Sequence, residues 1–170
     1  GSKFDSAAGK VSPGATLDKM MEEAQITPAN IRKLGDHGKP FDLCMLPKQL
    51  GIGAELAKAC DNTTVVLNHC GVPDIAGGGL DPWRADITAL AALPNVYCKL
   101  SGLLAYCAPG EATQAAIQPY VDHVLDVFGP SRMVWGSDWP VLTLAASYRA
   151  WLELAAAFMP DQTAKDAVFG

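Results

Sequence analysis

Three reactive side chains in this sequence stand at the ends of apolar runs. His69 follows VVLN, Lys99 lies in VYCKL, and Asp138 follows MVWGS. Loop-forming residues come soon after each: Gly71, Gly102 and the Trp139-Pro140 pair. A carboxylate and an imidazole can move protons, and an ammonium can offset negative charge as it develops. One such residue would be unremarkable. Three at successive run ends point to a shared polar pocket above an apolar core. Each also has a plainer role. His69 could be a hydrogen-bonded rim histidine, Lys99 could reach solvent from a strand end, and Asp138 could cap the loop that follows it. Cys70 reads as a filler, because neighbours along one strand point to opposite faces and cannot form a Cys–His pair. His37 and His123 read as solvent-facing. No HxH, HExxH or CxxC pattern occurs, so the sequence alone supplies no strong metal site.

The elements that would position these residues follow a rhythm. Apolar runs near 41–46, 64–68, 96–100 and 133–136 alternate with helical stretches, as strands buried on both faces do in a parallel sheet. Run starts lie roughly 25–35 residues apart, which suits four consecutive βα units. In a parallel barrel, functional groups project from the C-terminal strand ends. Period-two counting puts His69 on one face with Val65 and Leu67, Lys99 and Ser101 with Tyr97, Asp138 with Val134 and Gly136, and Cys44 with Asp42. Taken as inward, that face would expose Val65, Leu67, Tyr97 and Val134, a patch that calls for a homo-oligomer or another cover.

Helix signals are read in the same way. Thr27 caps a helix over 28–34 with Pro28 at its first position and Gly35 at its end. Pro119 opens a helix striped by Val121, Val124, Leu125 and Phe128 and closed by Gly129-Pro130. Leu144, Tyr148, Trp151 and Leu152 mark another, and Asp161 caps a terminal one. A short helix near 16–24, capped by Thr16, is expected within an N-terminal arm over 1–27. Residues 28–170 then form the body.

Composition narrows the partners. The chain has 170 residues, 49% of them hydrophobic and 18% charged, with a formal net charge of −5. That length and make-up fit one packed domain. The acidic balance argues against nucleic acid and anionic membranes, and no apolar run is long enough to span a bilayer. No secretory leader is recognisable, and the five cysteines, odd in number, read as reduced thiols of a cytoplasmic protein.

Four segments carry a resemblance: PFDLCMLP (40–47), VVLNHCGVPDI (65–75), NVYCKLSGL (95–103) and MVWGSDWPV (133–141). In order and spacing they resemble strand motifs five to eight of the amidohydrolase-2 family, TIM-barrel hydrolases that include sugar-lactone hydrolases. The resemblance implies an α/β fold of parallel βα units, here the C-terminal half of a (β/α)₈ barrel. It implies water attack on a lactone or related carbonyl ester, with Asp138 as the catalytic carboxylate. It makes His69 and Asp138 the candidate ligands of a divalent metal, zinc or manganese, in a full-length parent enzyme. It also places His69, Lys99, Ser101, Tyr106 and Trp139 around a sugar-lactone substrate. A nearby cation such as Lys99 or a metal is then expected to keep Asp138 ionised.

The departures from the family pattern are specific. The first-strand HxH is missing, the sixth-strand Asp-His reads Asn68-His69, and strands one to four have no counterpart. Four unclosed strands leave two bare edges and an uncovered face. A complementing half barrel or a second copy is therefore expected. The alternative is a non-catalytic half-barrel fragment or self-associating module.

Overall fold

The computed structural model describes residues 26–170. The expected helix near 16–24 and most of the expected arm lie outside the described residues.

Helix α1 (Pro28–Asp36) starts as its sequence dictates, with the Thr27 side chain accepting a hydrogen bond from Asn30 N and Pro28 in the first turn. It runs past Gly35 to Asp36, one residue beyond the position read as its stop. Strand β1 (Phe41–Leu43), helix α2 (Leu50–Ala59), strand β2 (Val65–Leu67), helix α3 (Trp83–Ala91) and strand β3 (Val96–Leu100) follow. Helix α4 (Gln114–Phe128), strand β4 (Met133–Trp135), helix α5 (Tyr148–Ala157) and helix α6 (Gln162–Phe169) complete the chain.

The four strands form one sheet in chain order, β1-β2-β3-β4, and every neighbouring pair is parallel. The expected half-barrel arrangement of βα units is present. Among the described residues, helices pack on one face, over Leu43, Val65, Leu67, Val96, Cys98, Leu100 and Met133, all buried.

The face assignment in β2 is corrected. Val65 and Leu67 are 1% and 0% exposed and belong to the helix-covered face. The register sets Asp42 beside Val66 and Val66 beside Tyr97, and pairs Lys99 with Val134. These five residues make the open face. It is therefore a mixed polar and apolar surface, not the apolar patch that counting predicted. The cause is local: β2 stops at Leu67, and His69, Cys70 and Val72 all take positive φ. Strand alternation cannot be carried through left-handed residues.

Helix α4 also differs from expectation. It begins at Gln114, capped by the Thr113 hydroxyl, and Pro119 lies inside it. Leu144, read as part of the α5 stripe, ends a 3₁₀ turn ahead of the helix and is 85% exposed. The Asp161 cap of α6 is as expected, its carboxylate accepting from Ala164 N at 2.8 Å.

The N-terminal ends of the strands are held by two polar pegs. Asn95 Nδ2, just before β3, lies 3.1 Å from each of the carbonyls of Ala57, Cys60 and Thr63. Arg132, just before β4, donates to the carbonyls of Ala91, Leu93 and Val96. Three main-chain carbonyls gathered on one side chain keep the bottom of the sheet closed and leave the top free for chemistry. All five cysteines are free thiols; Cys60, Cys70 and Cys98 are buried, Cys107 is half-buried and Cys44 is exposed.

Candidate active site

At the C-terminal strand ends, the segments after β2, β3 and β4 converge. The turn after β2 is left-handed at His69 (φ 54°) and Cys70 (φ 51°), which swings the imidazole over the end of β3. There His69 Nδ1 lies 2.8 Å from Ser101 Oγ. Its other nitrogen, Nε2, lies 3.8 Å from Asp138 Oδ1. Asp138 follows β4 in a left-handed conformation of its own, φ 57°. Non-glycine residues in this region carry a conformational cost, and they cluster where the surrounding structure over-determines them.

That surrounding structure is visible. The indole N–H of Trp83, a residue only 2% exposed, donates to Cys70 O at 2.8 Å and holds the β2 turn from below. Trp151, 1% exposed, does the same for Gly136 O at 2.9 Å, just before Asp138. Cys70 is a buried filler, as expected, and its thiol points to Lys99 O. Gly102 follows Ser101 with φ +73°; a Cβ there would stand 2.8 Å from His69 Nδ1 and 3.2 Å from Asp138 Oδ2.

Tyr106 presents its ring edge-on to His69 at 6.3 Å between centroids. Burial, with the Asp138 and Cys44 charges adding to it, pushes the Tyr106 phenol up to about 12. It is a proton donor across the whole physiological range. Lys99 crosses the open face to meet Asp42, Nζ to Oδ1 2.6 Å, a partner that reading the strand ends did not supply. Cys44 at the top of β1 senses both neighbours. Partial burial and then the Asp138 charge push its thiol up, and Lys99 opposes them. Trp139 sits at the rim, 70% exposed.

The structure thus brings His69, Ser101, Asp138 and Tyr106 into one cluster, with Lys99 on the open face below and Trp139 outside it. The Asp138 carboxylate accepts no hydrogen bond from a backbone N–H among the described residues, unlike a loop cap. Only its main-chain carbonyl is used that way, by Leu142 N. His123, expected in solvent, is half-buried on α4, with Nε2 3.0 Å from Arg84 O and its ring 5.6 Å from Trp83. It braces α3 against α4 and is remote from the cluster.

A zinc centre takes three or four protein ligands at fixed geometry. Among the described residues no group of three or more His, Cys, Asp and Glu side chains is placed to hold a metal ion. His69 and Asp138 amount to two donors, so the described residues do not by themselves fit a metal. No helix among them is long and apolar enough to cross a membrane.

Comparison with known proteins agrees with this fold. The L-fucono-1,5-lactonase of Burkholderia ambifaria is 38% identical over 138 residues, a stretch covering 79% of this chain and 47% of that protein. The L-fucono-1,5-lactonase of Burkholderia multivorans is 39% identical over 117 residues, covering 64% of this chain and 40% of that one. The chain spans about half the length of the curated relatives it matches. A crystal structure of a Burkholderia multivorans amidohydrolase with bound zinc superposes with a TM-score of 0.84 at 31% identity. It covers 93% of this chain, which in turn covers 58% of it. The amidohydrolase family model (Amidohydro_2) matches residues 10–170, and the chain belongs to that family.

Proposed function

We propose that this chain forms the C-terminal half of a hydrolase that opens a lactone, most simply a sugar lactone, by attack of water. The observation that carries the reading is the 3.8 Å separation of His69 Nε2 and Asp138 Oδ1 at the tops of the second and fourth βα units. That distance is too long for a direct hydrogen bond, so neither group satisfies the other. A water on the carboxylate and a carbonyl oxygen on the imidazole can sit side by side above the pair.

Asp138 takes a proton from the water as its oxygen bonds to the carbonyl carbon. An N–H donor on His69 and the phenol of Tyr106 stabilise the oxyanion. Collapse breaks the ring C–O bond, and the departing alkoxide takes up a proton to give a hydroxy acid. Lys99 and Trp139 belong to the surrounding pocket, with Lys99 held by Asp42, and Ser101 lies buried behind His69. Support for a lactone substrate comes from the two lactonase relatives. A zinc or manganese ion in the full-length enzyme would need donors beyond the described residues. The open face and the two sheet edges left unpaired among the described residues support a complementing half barrel or second copy as partner. Five free thiols suit a reducing compartment such as the cytoplasm.

The test is Asp138→Asn in a hydrolysing assembly, either the longer protein or this chain with its complementing half. Turnover of the lactone is expected to fall by about 10²–10⁴-fold with folding unchanged. Full activity in that variant would end the assignment. A non-catalytic, self-associating fragment remains the second reading, on the strength of the same open face. It forecasts a concentration-dependent oligomer and no hydrolysis in any assembly.

A further inference from the structure

We infer that Ser101 is a positioning residue that holds His69 in the tautomer with its proton on Nε2, so that the ring offers an N–H to the reacting carbonyl oxygen. The inference rests on the hydrolase reading for its purpose and on geometry alone for its substance.

Ser101 is one of two buried polar residues among the described residues, 1% exposed, and a substrate cannot reach it. Its hydroxyl lies 2.8 Å from His69 Nδ1, and that nitrogen is its one hydrogen-bond partner among the described residues. A hydroxyl carries a single proton and a neutral imidazole carries a single N–H. If Nδ1 held the proton, Ser101 would accept it and its own O–H would be buried with nothing to donate to. Buried donors without acceptors are rare because they give up water for nothing. The arrangement that satisfies both groups has Ser101 donating to a bare Nδ1, which puts the ring proton on Nε2.

The far side of the ring points to the same tautomer. Nε2 faces the Asp138 carboxylate at 3.8 Å, and an N–H there meets a negative charge, whereas a lone pair would meet another lone pair. The ring is also confined. The Gly102 backbone lies against Nδ1, and the edge of Tyr106 closes another side. An imidazole with its proton on Nε2 is an electrophile toward a carbonyl oxygen. It cannot ligate a metal through that nitrogen without first losing the proton.

The experiment reads the tautomer directly, on this chain and without turnover. The three histidines, His37, His69 and His123, are labelled with ¹⁵N and observed in a long-range proton–nitrogen correlation at neutral pH, with His69→Gln assigning the signals. The expected result is His69 Nε2 in the protonated range and Nδ1 in the acceptor range. Ser101→Ala should move both nitrogens toward the averaged values of a mixed population, and Ser101→Thr should restore the wild-type pattern. A proton on Nδ1, protons on both nitrogens, or an unchanged pattern in a folded Ser101→Ala would overturn the inference. If Ser101→Ala does not fold, the wild-type spectrum still decides. In a hydrolysing assembly, Ser101→Ala should lower kcat by about 10–100-fold at nearly constant KM. Finding the Nε2 proton in a protein that opens no lactone would defeat the hydrolase reading and leave the tautomer standing.

Discussion

Replacing Gly102 by alanine separates two costs that usually arrive together. The first is conformational. Gly102 has φ +73°, where an L side chain costs about 1–2 kcal/mol. The second is contact. The added Cβ would sit 2.8 Å from His69 Nδ1 and 3.0 Å from its Cγ, closer than such carbons approach in real proteins. The ring would have to retreat by several tenths of an ångström, yet Ser101 holds it from one side at 2.8 Å. Overpacking of this kind adds about 1–3 kcal/mol. Gly102→Ala should therefore cost about 2–5 kcal/mol in all, summing the conformational and contact costs. Gly110 supplies the control, because its φ is +80° and nothing lies within 4 Å of its Cβ position. Gly110→Ala should cost only the conformational part, about 1–2 kcal/mol. Urea denaturation of both variants gives the difference, and the His69 nitrogen signals report whether the ring has moved. If Gly102→Ala is no more destabilising than Gly110→Ala, the close packing of ring and backbone is wrong.

Tyr106 should be the last tyrosine to ionise in an ultraviolet titration, near pH 12, and that late component should vanish in Tyr106→Phe. Its folded value lies above the unfolded one of about 10, so its contribution to stability is complete below about pH 10 and is lost as pH rises toward 12. Thr113→Ala removes the cap of α4 and should cost about 1 kcal/mol in denaturant. Pro119→Ala, at an interior position of the same helix, should be stabilising, by up to about 3 kcal/mol. A helix that began at Pro119 would show the opposite pattern.

The strand order was legible because each strand is short, apolar and set apart by turn residues, and a helix of clear period lies between each pair. His69, Ser101 and Asp138 were legible for a related reason: polar groups at the ends of buried strands have few places to go except the rim. The facing of β2 was not. Nothing about Cys or Val invites a left-handed backbone, and Val72 in particular disfavours it. Those angles are imposed from outside, by Trp83 on Cys70 O and by the ring packing on Gly102. Such contacts join residues far apart in the chain, and no local pattern encodes them. The start of α4 failed differently. Proline favours a first turn, but Thr113 is the better cap, and five residues of α4 precede Pro119. Asp42 was seen as a face-mate of Cys44 and not as the partner of Lys99, because a lysine's reach across two strands cannot be read from spacing.

That Lys99–Asp42 pair changes meaning with its surroundings. On the open sheet its side chains are 27% and 56% exposed, and water screens much of the attraction, so the contact is worth at most about 1 kcal/mol. Roofed over by further strands, the same two atoms would sit in a medium of low polarity. The pair would then act as a coupled unit, neutral overall, in which losing one charge strands the other at a cost of about 3–5 kcal/mol. A substitution at Asp42 would thus be nearly silent in the isolated half and severe in the closed barrel. The contrast between those two responses would serve as an internal gauge of how completely the barrel has closed.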